Sequence, residues 1–85
     1  MKTMETLREE VLEKGWKWWC NGMIGGQMQI NIYAGDSVFS WWPLSKQQTL
    51  WHKKNQGEEG PKQMKHCYVT ADTILQFIED RLRKL

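Results

Sequence analysis

The sequence predicts a two-layer α+β domain: an antiparallel meander of four to five strands, with the N- and C-terminal helices packed on one face. Three observations carry this. Residues 27–34 alternate apolar and polar side chains over their whole length. Apolar stripes at helical spacing stand at both ends of the chain. The connections between the strand-like runs are shorter than the dozen or so residues that a parallel crossover takes.

The first helix is expected over residues 4–14. Met4, Leu7, Val11 and Leu12 recur at three- and four-residue steps, and Thr3 can cap the first turn, with Thr6 and Glu9 as an alternative capping box. Lys14 followed by Gly15 is the usual order at a helix C-terminus. A strand follows at 16–20, with Trp16, Trp18 and Cys20 on one face and Lys17 and Trp19 on the other. Asn21 and Gly22 read as a two-residue hairpin turn, and Gly25 and Gly26 as a bulge or second bend.

In the strand at 27–34, Met28, Ile30, Ile32 and Ala34 share one face. Gly35 and Asp36 suit a type II′ turn, which places Gly first. The register then follows: Ile32 faces Phe39, Ile30 faces Trp41, Tyr33 faces Val38 and Gln29 faces Trp42. That gives a strand at 37–42, ended by Pro43. Residues 44–66 admit two readings. One is a short helix begun at Ser45; the other, preferred, is a hairpin of 48–54 with 62–69, in which Met64, His66 and Tyr68 alternate with Lys65, Cys67 and Val69. The last helix is expected over 71–85, with Thr70 as N-cap, Asp72 in the first turn, and Ile74, Phe77, Ile78, Leu82 and Leu85 as its apolar stripe.

A chain of 85 residues makes one domain, spanning 1–85. Aromatic residues at 12% argue against intrinsic disorder. The N-terminus lacks the apolar core of a secretion signal, so a cytoplasmic location is expected, with Cys20 and Cys67 as thiols. No run is apolar enough to span a membrane. The net charge of +2 demands no anionic partner.

The anomaly is six Trp. Trp18 with Trp19, and Trp41 with Trp42, are neighbours on strands, and neighbours on a strand point to opposite faces. Helices cover one face of a two-layer domain. One Trp of each pair therefore turns away from them, unless residues 44–66 or a second copy of the chain cover that side. Trp42, Tyr33 and Trp19 form the expected outer patch, with Val38 and Gln29 beside them. Three such rings offer a partner about 10 kcal/mol before the costs of association. Large exposed apolar patches mark interaction sites.

Other constellations are weaker. Cys20, His52, His66 and Cys67 have the ligand count of a zinc site but not its local spacing, so no metal is expected. The same residues give no defined nucleophile and base, so neither an enzyme nor a cofactor is expected. The glycines around 22–26 lack the trailing Lys and Ser/Thr of a phosphate loop. Lys53, Lys54, Lys62 and Lys65, with Trp51 and Tyr68 among them, make the basic segment 46–68 a candidate for single-stranded nucleic acid. The leading expectation is a non-enzymatic module that binds a partner protein through Trp42, Tyr33 and Trp19, with Lys53, Lys54 and Lys65 as a polar rim. Its size and cofactor-free character suit a small phage-type inhibitor of a host defence protein, and a homodimer is the competing use of the aromatic face.

Overall fold

The computed structural model describes residues 1–24, 27–55, 57 and 64–84, with the backbone alone at 23, 24, 27, 64 and 65. Helix α1 spans Met4–Glu13. The Thr3 hydroxyl opens it by accepting the Thr6 backbone N–H at 3.1 Å. Gly15 closes it in the left-handed region at φ +82°. Leu7 and Val11 are buried as expected. Leu12 is not: it is 43% exposed, because one step from Val11 turns about 100° around the helix.

Five strands follow in a meander whose spatial order is the chain order: β1 (Lys17–Ile24), β2 (Gln27–Ala34), β3 (Ser37–Trp41), β4 (Leu50–Lys53) and β5 (Met64–His66). All neighbours are antiparallel. Between β2 and β3 the expected register holds, with Ile30 opposite Trp41, Ile32 opposite Phe39 and Tyr33 opposite Val38. Gly35 carries φ +64° and Asp36 does not enter the positive region, as a type II′ turn requires. A Cβ on Gly35 would meet nothing within 4 Å, so a substitution there is felt in the backbone alone. Gly35→Ala is expected to lose about 1–2 kcal/mol in urea unfolding, and Gly35→Asn less, because Asn tolerates this region better.

Three expectations are corrected. Asn21 and Gly22 do not form the hairpin turn. β1 runs through them to Ile24, which pairs with Gln27, and the register slips once between Asn21 and Met23. Asn21 is held in the ladder by its side chain, whose amide donates to Gln29 Oε1 at 3.1 Å. Gly22 then absorbs the bulge. The bend read at Gly25 and Gly26 lies outside the described residues. Second, the alternation read through Tyr68 breaks. β5 stops at His66, and Tyr68 turns left-handed at φ +60°. This sends Val69 into the core. Third, the last helix, α2, is Ile74–Arg83 and begins later than expected. Thr73, not Thr70, stands at its N-cap, and its hydroxyl accepts the Thr70 N–H at 3.0 Å instead of capping the helix. Asp72 lies before the helix and accepts the Lys2 backbone N–H at 2.7 Å.

Of the two readings of 44–66, the strands form and the helix at Ser45 does not.

The core lies between the helices and one face of the sheet. Leu7 and Val11 of α1 and Ile74, Leu75 and Ile78 of α2 meet Ile30, Ile32, Phe39, Trp41 and Leu50, with Trp16 and Trp18 packed against the margin. The Trp41 indole N–H donates to the Val69 carbonyl at 3.0 Å. A Lys14–Glu79 ion pair at 2.7 Å links the helices. Asp80 of α2 accepts from Gln76 and Arg83, and these two bonds hold its carboxyl below the usual carboxylate value. A depressed folded value means stability that is present above the unfolded value and lost as pH falls through the folded one. Asp80→Asn is therefore expected to lower stability at neutral pH and to converge with the parent in acid, as the pH falls through the lowered folded value. Urea midpoints against pH test this.

Candidate functional site: the outer face of the sheet

The face turned away from both helices is set by the parity of the strands. Cross-strand pairing places its side chains in rows. The central row runs Trp19, Asn31, Ser40, Trp51 and Lys65 across all five strands. Beside it lies the row Lys17, Tyr33, Val38 and Lys53. On the other side Asn21 pairs with Gln29, and Trp42 follows β3. Among the described residues, no helix or strand lies over these rows.

This face is contoured, with aromatic flanks and a polar centre. Trp19 is 60% exposed. Its indole N–H donates to Asn21 Oδ1 at 2.6 Å, which lays the ring along the outer strand. Tyr33, Trp42 and Trp51 are half-buried. Between them Asn31 and Ser40 are buried at 8% and 1% exposure, and the Ser40 hydroxyl donates to Asn31 Oδ1 at 2.6 Å. Among the described residues, the larger side chains in the flanking rows are what stand beside these two polar groups. The cations Lys17 and Lys53 stand on the face, and none of its described outward strand positions carries a carboxylate.

The residues expected to form the site divide. Trp19 and Tyr33 stand where expected. Trp42 follows the end of β3, not inside it as expected, although its N–H still bonds the Thr49 carbonyl at 3.0 Å. Its carbonyl accepts from Ser45, so it also begins the turn toward β4. Val38 is corrected: at 8% exposure, between Tyr33 and Lys53, it supports the face and offers little of itself. Lys53 is half-buried and Lys54 exposed. Lys65 is opposite Trp51 by register, and its side chain lies outside the described residues, as does Lys62. Trp51 was missed as a member of the aromatic set. Its signal was the alternation of Leu50, Trp51 and His52, which places Trp51 outward once Leu50 is matched to Trp41.

The chain matches no protein-family model, no curated protein and no solved structure. Its own geometry carries the functional reading.

The Cys and His residues do not converge. Cys20 sits on β1 and Cys67 follows β5, at opposite edges of the sheet, and both are free thiols. His52 is buried, stacked on Phe39 at 4.4 Å between ring centres, and its Nδ1 accepts the Arg81 Nε–H at 3.1 Å. His66 packs on Phe77 at 4.6 Å. Among the described residues, no three His, Cys, Asp or Glu gather as metal ligands. No described helix is long and apolar enough to cross a membrane.

Proposed function

We propose that this chain is a non-enzymatic interaction module whose outer sheet face binds a partner protein, with Trp19, Tyr33 and Trp42 as anchors and Lys53 and Lys54 at the rim. One observation carries the reading. An indole 60% exposed is fixed by a hydrogen bond on an aromatic sheet face that no described element covers. A ring already held in place loses little freedom on binding, which is what makes Trp and Tyr effective anchors. A small inhibitor or adaptor acting on a host protein is the use we favour.

The test is titration of a partner captured by the parent protein from its native host. Trp19→Ala is expected to weaken that complex about 30-fold or more, the effect of losing a hot-spot side chain. Leu44→Ala, in the turn between β3 and β4, is expected to leave it unchanged. Equal binding by the parent and Trp19→Ala, with both folded by circular dichroism, rejects the reading. The paired cations and missing carboxylates of the face favour one second reading, a single-stranded nucleic acid. It predicts oligonucleotide binding that falls steeply with salt.

A further inference from the structure

The two edges of the sheet are unlike. β5 has three residues, whereas β1 has eight, with one charge, Lys17, and no proline. Natural sheets shorten, charge or cover their edges, because a free edge recruits another strand. Among the described residues nothing pairs with the far side of β1. Apolar side chains instead wrap around it. Leu12, Lys17, Trp18, Trp19 and Tyr33 line a groove of about 600 Å³, and Leu12, the leucine that α1 leaves 43% exposed, is part of it.

We propose that β1 pairs antiparallel with β1 of a second copy, about a two-fold axis at Trp19, joining two five-stranded sheets into one. The bulge sets the register. Residues 17–21 are the regular part of β1, before the slip at Gly22, and their centre is Trp19. Self-pairing there opposes Lys17 to the neutral Asn21 of the second copy, and Trp18 to its Cys20. The two Lys17 stand four residues apart along the ladder, about 13 Å, which is beyond the screening length in physiological salt. Within residues 17–21 no like charges meet. Antiparallel partners point to the same side, so both helix layers lie together and the two aromatic faces become continuous.

The dimer proposed is weak and concentration-dependent. The paired stretch, residues 17–21, is about 17 Å long at ~3.3 Å per residue, so the shared edge is short. Stable specific interfaces bury a total of about 1,000 Å² or more, and a smaller one associates transiently, at high concentration. This inference concerns the strand edge and stands independently of the hetero-partner reading.

Sedimentation of the full chain from micromolar to near-millimolar concentration tests it. The expected mass rises from 10.2 kDa toward twice that value. A mass of 10.2 kDa at every concentration overturns the proposal. Trp19→Lys, which sets two ammonium groups against each other on the axis, is expected to remain monomeric with unchanged circular dichroism; a dimer that survives it also overturns the proposal. The register is read by cross-linking in a Cys20→Ser, Cys67→Ser background. Trp19→Cys is expected to form a disulfide-linked dimer on oxidation, since directly opposed residues lie within disulfide reach in either kind of antiparallel pair. Tyr33→Cys, one strand inward, is expected not to. Should Trp19→Cys fail to fold, Lys17→Cys mixed with Asn21→Cys is expected to cross-link more readily than either alone, and equal cross-linking in all three samples refutes the register.

Discussion

Trp41→Ala is expected to cost about 3–5 kcal/mol, the range for deleting a large buried aromatic side chain. Trp41 touches every layer of the fold. It pairs with Ile30 on β2 and Leu50 on β4, faces the helices, and binds the Val69 carbonyl through its indole N–H. Val69 in turn enters the core only because Tyr68 turns left-handed. Truncation therefore leaves a cavity at the centre and removes the donor that fixes the link between β5 and α2. A domain of this length has about 4–13 kcal/mol of stability in all, so the variant is expected to be largely unfolded at mild urea concentrations. Trp41→Phe separates the two effects. It fills most of the volume but leaves the Val69 carbonyl without its donor, at about 1–3 kcal/mol. Urea unfolding followed by far-UV circular dichroism measures both. A loss below about 1 kcal/mol for Trp41→Ala contradicts a central place for this ring, since surface substitutions fall within that range.

The inward place of Trp41 and the outward place of Trp19 were legible in the sequence, because each depends only on alternation. The β2–β3 register was legible for a similar reason: a two-residue turn beginning with Gly leaves little freedom. The reach of β1 was not. Asn21 and Gly22 have the chemistry of a type I′ turn, but the Asn21 side chain is held between the Trp19 indole and Gln29 across the ladder. That partner on another strand is invisible to a local reading. The start of α2 failed likewise. Thr70 and Thr73 are both good caps, and the choice follows from Asp72 reaching back to the Lys2 backbone across the whole fold. The aromatic set was legible at Trp19 and Tyr33 and incomplete at Trp51. The turn after β3, held by Trp42, Ser45 and the left-handed Gln48, sets the phase of β4, and its length has no simple sequence rule.

Nothing in the sequence singled out Asn31 and Ser40, yet the outer face is built around them. Ser40→Ala is expected to cost about 1–3 kcal/mol, because the buried Asn31 Oδ1 loses its donor where water has little access. Asn31→Leu removes the acceptor from the Ser40 hydroxyl and is expected to cost a similar amount. The double variant is expected to lose much less than the two losses together, with a coupling of about 0.5–3 kcal/mol in a double-mutant cycle, because neither orphaned group then remains. Strict additivity in urea midpoints contradicts a shared buried bond. The double variant has a second consequence. It joins Trp19 and Trp51 through an apolar centre, making one continuous apolar strip, and such strips promote self-association. The expected outcome is a protein of nearly parental stability that scatters light at concentrations where the parent stays clear. On this account the polar pair separates Trp19 from Trp51 and keeps the face from becoming one unbroken apolar surface.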